Sequence, residues 1–308
     1  MKLEGLHHIT MITGDAQKNV AFYADVLGLR LVKKTVNFDQ PEAYHLYFGD
    51  ETGAPGSILT FFEFPGARPG RAGAGMVHRV LWRVGSPDAL DFWERRLDGA
   101  TRTPEGTLRF ADPEGLEHEL VVAAVPDRPL VAAAADIPAE HALQGFHGVR
   151  AYAADPARSA RLLERIGFAR TGDGDDAWEL AGDERRALLT YDAPPAEPGI
   201  QSAGSVHHVA WSAADDAELE LFSRAAREAD ARPTPIIDRQ YFHSVYFREP
   251  SGVLFELATR DIGFDYDEPR ESLGEALKLP PQYEDRREQL ERLLTPLTNP
   301  RTRAATTR

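Results

Sequence analysis

Four copies of one pattern run along the chain, and this repeat constrains the fold more than any other sequence feature. Each copy opens with a short apolar segment rich in β-branched or aromatic residues, which is typical of a β-strand. The aligned positions 8, 79, 148 and 208 are separated by 71, 69 and 60 residues. This spacing is too regular for chance and too varied for a solenoid of identical repeats. The opening segments are LHHITMI (6–12), VHRVLWR (77–83), FHGVRAY (146–152) and VHHVAWS (206–212).

A helix is predicted after each opening strand. Asp15, Ser86, Asp155 and Asp215 each stand seven residues after the aligned position, where a side-chain oxygen can accept hydrogen bonds from the free amides of a helix start. The stretches that follow have apolar residues at helical spacing. Short apolar runs broken by turn residues come next and predict strands joined by hairpins. The sequence therefore predicts an α+β fold of four βαβββ modules paired into two domains.

Composition along the chain predicts the domain boundaries. A segment rich in proline and alanine separates the second module from the third and is interpreted as a linker. After residue 262 the chain becomes acidic and polar, and EDRREQLERLL (284–294) predicts one amphipathic helix before an irregular end. We expect an N-terminal domain at 1–125, a linker at 126–143, a C-terminal domain at 144–262 and a tail with one helix at 263–308.

Overall composition narrows the classes of function. A formal net charge of −14 disfavours binding to nucleic acid, because phosphates would be repelled. No apolar run approaches the roughly 20 residues of a membrane span, and the start of the chain lacks the pattern of a secretory signal. Zero cysteines exclude disulfides and thiolate metal sites. We expect a cytoplasmic protein that acts on a small molecule, binds neither nucleic acid nor membrane, and could form a homo-oligomer.

Alignment of the modules predicts a metal site. Only the first and last modules carry histidine at the aligned position, as His8 and His208. A second aligned position, at the end of the segments PGSILT (55–60), DPEGLEHE (112–119) and EPSGVLFE (249–256), holds Thr60, Glu119 and Glu256. If modules one and four pair, two imidazoles and one carboxylate share a cavity, and Thr60 is a non-ligating fourth corner. Two histidines and one carboxylate leave coordination positions open and suit Fe(II) or a similar ion.

The other two modules predict a contrasting site. Pairing of modules two and three would gather Arg79, Glu119 and Gly148, so an Arg–Glu ion pair could replace the metal. One metal per chain is therefore expected. In the first strand His7 and Ile9 face away from His8, so His7 is interpreted either as a buried histidine bonded to backbone or as support for the ligand. The same two interpretations apply to His207.

At these residues the sequence resembles the vicinal oxygen chelate superfamily, also called the glyoxalase/bleomycin resistance/dioxygenase superfamily. Within it the chain is similar to ring-cleaving dioxygenases of the hydroquinone type, the group of 2,6-dichlorohydroquinone dioxygenase and the MhqO-like proteins. LHHIT is a weak signature, whereas YHLYFGDETGAPG and the tail ESLGEALKLPPQYED are more particular. The resemblance implies that His8, His208 and Glu256 are iron ligands. It further implies a surrounding shell of Thr10, His7, His207, Arg239 and Tyr246.

Three functions remain open on the sequence alone. The first is an Fe(II)-dependent, extradiol-type ring-cleaving dioxygenase, with Mn(II) as the alternative ion and with a hydroquinone-like or catechol-like aromatic and O2 as substrates. Tyr246, His207 and Arg239 would then donate hydrogen bonds to substrate oxygen. The second is a metal-dependent glyoxalase-type lyase or isomerase, or a thiol transferase, which would favour a further carboxylate where Thr60 stands. The third is a metal-free protein that sequesters a toxic aromatic compound.

Overall fold

The computed structural model describes residues 1–174 and 176–301 of the chain, and these contain four βαβββ modules in sequence. The predicted fold class is therefore confirmed. The strands of modules one and two are β1 (Leu6–Thr13), β2 (Arg30–Asn37), β3 (Gln40–Gly49), β4 (Ile58–Glu63), β5 (Val77–Val84), β6 (Thr101–Arg102), β7 (Leu108–Ala111) and β8 (Glu117–Val122). Those of modules three and four are β9 (Phe146–Tyr152), β10 (Ala169–Arg170), β11 (Ala177–Ala181), β12 (Arg186–Asp192), β13 (Ser205–Ala213), β14 (Ile237–Asp238), β15 (His243–Arg248) and β16 (Leu254–Thr259).

The strands form two mixed sheets. One sheet combines the first and last modules, and the other combines the two middle modules. The first sheet joins modules four and one in the order β14-β15-β16-β13-β1-β4-β3-β2, and the second joins modules three and two in the order β10-β11-β12-β9-β5-β8-β7-β6. The expected pairing of modules one with four and two with three is confirmed. Each sheet thus takes one module from either side of residues 126–143. The domain boundaries at 1–125, 126–143, 144–262 and 263–308 stay a prediction.

Each module has a helix between its first and second strands, and three of the four predicted caps form. The side chains of Asp15, Ser86 and Asp215 accept hydrogen bonds from the backbone amides of Lys18, Ala89 and Glu218, respectively. Asp155 makes no cap bond and instead precedes a 3-10 turn at Pro156–Ser159, so that cap prediction is wrong. The α-helices are α1 (Ala16–Val20), which continues as a π-helix at Ala21–Val26, α2 (Pro87–Arg96), α3 (Ala160–Arg165), α4 (Asp216–Glu228) and, in the tail, α5 (Arg287–Leu293).

The π-helical segment places Tyr23 between the two sheets. Its ring centroid lies 4.7 Å from that of Phe61 in the first sheet. Its hydroxyl donates to Asp112 at 2.9 Å and lies 3.1 Å from Nε2 of His118 in the second sheet. A π-helical turn widens a helix locally, and here it brings a large side chain into the main core. The opposite face of the first sheet is therefore free to line a cavity.

The linker and the tail are both packed against the modules. Asp127 is buried and forms an ion pair with Arg83 at 2.6 Å. In the tail, the Tyr283 hydroxyl donates to the carbonyl of Phe38 at 2.7 Å. The expected tail helix is present, with 3-10 geometry at Pro281–Arg286 and α geometry at Arg287–Leu293. The predicted irregular end beyond residue 301 lies outside the described residues. No helix in the described part of the chain is long and apolar enough to span a bilayer.

Candidate active site

The predicted metal ligands occupy matching positions on three adjacent strands of the first sheet. β1 and β13 are antiparallel, with His8 opposite Ala210 and Thr10 opposite His208. β13 and β16 are parallel, with Ala210 opposite Glu256. Residues paired in this way point to the same face of a sheet. The register therefore gathers the two histidines and the glutamate, and the small side chain of Ala210 leaves space between them.

The ligand atoms of His8, His208 and Glu256 converge on one point. Oε2 of Glu256 lies 3.1 Å from Nε2 of His8 and 2.8 Å from Nε2 of His208, and the two nitrogens are 3.3 Å apart. All three atoms lie within 4.8 Å of one another. Oε2 is buried and makes no hydrogen bond to the described residues despite these short distances. An orphaned buried carboxylate oxygen that faces two imidazole nitrogens fits a metal ion.

The hydrogen bonds of His7 fix His8 in the tautomer that a metal ion requires, with Nε2 unprotonated. Nε2 of His7 lies 2.9 Å from the carbonyl oxygen of Thr259, which can only accept, so this nitrogen carries the proton. Nδ1 of neutral His7 is then an acceptor for Nδ1–H of His8, at 2.9 Å. Nε2 of His8 is left with its lone pair directed at the other ligands. Both sequence interpretations of His7 hold together, since it bonds to backbone and supports the ligand.

Module four repeats the contact between neighbouring imidazoles. Nδ1 of His207 lies 2.8 Å from Nδ1 of His208, as Nδ1 of His7 does from that of His8. Burial, followed by the nearby partner imidazole, lowers the pKa of His7 to about 3 and that of His207 to about 4. Burial also lowers the pKa of His208. These imidazoles are neutral at pH 7, as metal ligation and its support require.

Glu256 is held on its other side by a hydroxyl group and is ionised. Its Oε1 accepts a short hydrogen bond from the Ser244 hydroxyl. Burial opposes ionisation, but His8 and His208 lower the pKa of Glu256 well below its usual value. Ser244 was not identified from the sequence. Strand parity could have found it, because it faces the cavity side of β15 together with Tyr246.

Tyr246 and Arg239 lie together beside the ligands, as the resemblance implies. Tyr246 is opposite Glu256 in the sheet, and Nε of Arg239 donates to its hydroxyl at 3.2 Å. Burial and then Glu256 raise the pKa of Tyr246, so the phenol keeps its proton. Because Arg239 occupies an acceptor site of the oxygen, the Tyr246 proton is free to be donated elsewhere. Arg239 also pairs with Asp39, at 3.7 Å.

A chain of four neutral polar side chains lines the wall on the other side of the metal site. Thr10 and Thr60 share a hydrogen bond of 2.9 Å, Nε2 of His45 lies 2.9 Å from the Thr60 hydroxyl, and the Tyr47 hydroxyl lies 2.9 Å from Nδ1 of His45. Burial, then His8, lowers the pKa of His45 well below its usual value. Thr60 is thus the expected non-ligating corner, whereas His45 and Tyr47 were not predicted as site residues.

The first sheet curves around a cavity of about 720 Å³. Its two ends approach each other, since the ring of Tyr241, in the turn between β14 and β15, is 6.2 Å from that of Tyr47 in β3, at the other end of the sheet order. The Phe242 ring packs 5.0 Å from the His8 ring. His8, Thr10, His207, His208, Arg239 and Tyr246 all line this cavity. His7 does not line it and lies behind His8.

The second sheet carries an ion pair at the corresponding position. Nη1 of Arg79 lies 3.1 Å from Oε2 of Glu119, which also receives a hydrogen bond from Arg109. The predicted ion pair between Arg79 and Glu119 is present. At Gly148 an added Cβ would lie 2.3 Å from the carbonyl oxygen of Leu188, so no side chain fits there. Among the described residues, His8, His208 and Glu256 form the one group of three or more histidine or carboxylate side chains whose ligand atoms converge.

Comparisons with known proteins agree with this geometry. The model of the Glyoxalase/Bleomycin resistance protein/Dioxygenase superfamily matches residues 5–120 and 145–257. The chain is 42% identical over 305 residues to MhqO of Bacillus subtilis, provisionally named a ring-cleaving dioxygenase, covering 96% of this chain and 97% of the relative. It is 33% identical to the chlorohydroquinone/hydroquinone 1,2-dioxygenase of Sphingobium indicum, covering 95% of this chain and 96% of that protein.

Solved structures share this fold. A crystal structure of a provisionally named dioxygenase from Bacillus subtilis superposes with a TM-score of 0.90 at 40% identity, covering 97% of this chain and 98% of the other. Glyoxalase I from Zea mays superposes with a TM-score of 0.58 at 16% identity, covering 83% of this chain and 92% of the other. At that identity the second likeness shows the fold alone.

Proposed function

Because the chain belongs to the Glyoxalase/Bleomycin resistance protein/Dioxygenase superfamily, we propose that it is a ring-cleaving dioxygenase for hydroquinone-type aromatics. Relatives that are 33–42% identical to this chain over nearly their whole length are named ring-cleaving or hydroquinone dioxygenases. We further propose that one Fe(II) is held by His8, His208 and Glu256, with Mn(II) as the alternative ion. Catechol-like rings are a second substrate class for the same site.

The observation that carries the proposal is the orphaned oxygen of Glu256 between two imidazole nitrogens at the base of a cavity. Two neutral histidines and one carboxylate are the donor set of non-haem iron oxygenases, and they leave positions open for reactants. When bound, such an ion favours the phenolate form of a substrate hydroxyl and provides a path for electrons between ring and O2.

The overall reaction balances without a further reductant. The ring carbon–carbon bond beside a hydroxyl-bearing carbon breaks, and both atoms of O2 enter the ring-opened product. The aromatic ring is oxidised and O2 is reduced, so the ring supplies all the electrons. The chain itself must therefore orient the ring, exclude water and handle the proton that leaves the substrate hydroxyl.

We assign these tasks to several side chains of the pocket. Tyr246 keeps its proton and donates a hydrogen bond to substrate oxygen or to developing negative charge. Arg239 orients this phenol and adds positive charge next to it. His207 is neutral and borders the cavity, and because its Nδ1 faces Nδ1–H of His208, its Nε2–H is free to donate a hydrogen bond to substrate oxygen. Thr10 hydrogen bonds to Thr60 beside the ligands and orients the wall of the pocket.

Thr60 favours the dioxygenase over a glyoxalase-type reaction. A glyoxalase-type centre would favour a further carboxylate at this corner, whereas the Thr60 hydroxyl is committed to Thr10 and His45. The converging triad also argues against simple sequestration of an aromatic compound, because sequestration requires no metal ligands.

Oxygen uptake by the Fe(II)-loaded protein tests the proposal. The protein would be stripped of metal, loaded anaerobically with Fe(II) or Mn(II), and mixed with a panel of hydroquinones and catechols in an oxygen electrode cell. We expect uptake of one O2 per hydroquinone consumed that depends on Fe(II). The His8→Ala variant should lose both metal and uptake, whereas His78→Ala, in the second sheet, should retain both. No iron-dependent uptake across the whole panel would refute the proposal.

A further inference from the structure

The cavity is larger than a single aromatic ring requires. Its volume of about 720 Å³ lies in the range of pockets that bind drug-sized molecules. A hydroquinone has only a six-carbon ring and two hydroxyl groups. Most of the cavity would remain empty when such a ring reaches His8, His208 and Glu256. The residues that line the remaining space therefore indicate what kind of substituent the ring carries.

Polarity changes along β1 from the metal end outwards. His8, Thr10 and Ile12 alternate onto the cavity face, and each two-residue step advances about 6.6 Å. β4 follows the same order, because Thr60 pairs with Thr10 and Phe62 pairs with Ile12. The metal-ligand row is therefore followed by a hydroxyl row and then by an apolar row.

The apolar row belongs to a larger apolar vestibule, which we define as Ile12, Phe38, Phe62, Phe64 and Ala67. All but Ile12 are partly exposed, so a ligand that covers them removes apolar surface from water. The backbone of Phe38 is fixed by the Tyr283 hydroxyl of the tail. This hydrogen bond holds Phe38 in position as part of the vestibule wall.

The vestibule offers no unpaired charge to a polar substituent. Among the residues that line the cavity, the side chains with a formal charge are those of Asp39 and Arg239. These two side chains pair with each other at 3.7 Å. The Phe62 ring packs against the rings of His45 and His207, with centroids 4.4 and 5.7 Å away. A polar group buried here without a partner would be penalised.

We infer that the ring bound by this protein carries an apolar substituent of several carbons, such as an alkyl chain, which occupies the apolar vestibule. The inference rests on the proposed function for the identity of the ring, a hydroquinone. Burial of each methylene group lowers the free energy of the bound complex and of the transition state equally, so the substituent acts on KM and leaves kcat nearly unchanged.

A homologous series of 2-alkylhydroquinones tests the inference. With methyl, propyl and pentyl substituents, KM of the Fe(II)-loaded protein should fall by about fourfold for each added methylene, until the vestibule is full. Ala67→Phe fills the vestibule and should abolish this dependence on chain length. Ala196→Phe adds the same ring at an exposed position outside the cavity and should preserve the dependence.

A binding measurement separates this inference from the proposed reaction. Dissociation constants of the same compounds would be measured by anaerobic calorimetry on the metal-free protein, in which no turnover occurs. Affinity that rises with chain length and is reduced in Phe64→Ala supports the vestibule even if oxygen uptake is absent, an outcome that would contradict only the proposed reaction. Dissociation constants and KM values that are independent of chain length would overturn the inference.

Discussion

At the scale of single residues, the site depends on histidines that touch no metal. The carbonyl of Thr259 fixes the proton of His7, His7 fixes the proton of His8, and the lone pair of His8 is thereby directed at Glu256. Such partners of ligating histidines set ring orientation and basicity. In the sequence, His7 is distinguished from His8 only by strand parity.

We therefore predict that His7→Ala weakens metal binding while leaving all three ligands in place. The affinity for Fe(II) should fall by about 10- to 100-fold, because His8 loses the acceptor that fixes its tautomer. Anaerobic titration of the metal-free protein measures this. His78→Ala is the matched control, since it removes the histidine at the same repeat position in module two. Equal Fe(II) affinities of the parent and His7→Ala would show that the hydrogen bond between His8 and His7 does not contribute to metal binding.

At the scale of elements, the repeat predicted the same capped helix four times, but the caps differ. Asp215 accepts a hydrogen bond from the amide of Glu218 at 3.0 Å, whereas Asp155 makes no such bond. The side-chain oxygen of an N-cap stabilises a helix because it satisfies an otherwise free amide. The two aspartates therefore form a natural comparison within one chain.

We predict that Asp215→Ala lowers the free energy of unfolding by about 1 kcal/mol, while Asp155→Ala changes it by clearly less. Urea denaturation of both variants under the same conditions measures the difference. The fold should be unchanged in each. Equal destabilisation by the two substitutions would mean that the cap bond of Asp215 contributes nothing of its own.

The repeat and strand parity were sufficient to predict that His8, His208 and Glu256 converge, because these residues occupy equivalent positions of modules that pair. They were insufficient for His45 and Tyr47. These residues reach the cavity through the register of β3 against β4, which is set by the loop at 50–57. In that loop the side chain of Asp50 accepts from backbone amides and Ser57 bonds back to Ala54. The module repeat does not encode such loop contacts.

At the scale of the whole molecule, one sheet joins the first and last modules, which are separated in the sequence by the two middle modules. Sequence patterns identified the modules, but the boundaries 1–125 and 144–262 follow chain order, whereas the strand hydrogen bonds join module one to module four. The chain must therefore bring its two ends together before His8, His208 and Glu256 can converge. Where the two sheets meet, they share the Tyr23, His118 and Asp112 cluster.

This cluster predicts a pH dependence of stability. Burial lowers the pKa of His118 to about 3, and Trp82 donates to its Nδ1 at 3.1 Å, which requires the neutral imidazole. The unfolded chain takes up this proton near pH 6.5, whereas the folded protein does not. The contribution, on the order of a few kcal/mol, is present above pH 6.5 and is lost as pH falls from 6.5 towards about 3.

Denaturation of the metal-free protein between pH 7.5 and 4.5 measures this effect. The free energy of unfolding should fall with pH in the parent protein and should fall less steeply in His118→Gln, which has no titrating group at this position. Parent and variant slopes that coincide would show that His118 is not the origin.

The central claim, that this chain inserts O2 into a hydroquinone at the His8, His208 and Glu256 site, is tested most directly by isotope labelling. The Fe(II)-loaded protein would react with a hydroquinone under ¹⁸O2, and the product would be analysed by mass spectrometry. The account predicts a ring-opened product that contains both labelled atoms, formed by the parent and not by His8→Ala. An unlabelled quinone as the sole product, or equal product from His8→Ala, would contradict it.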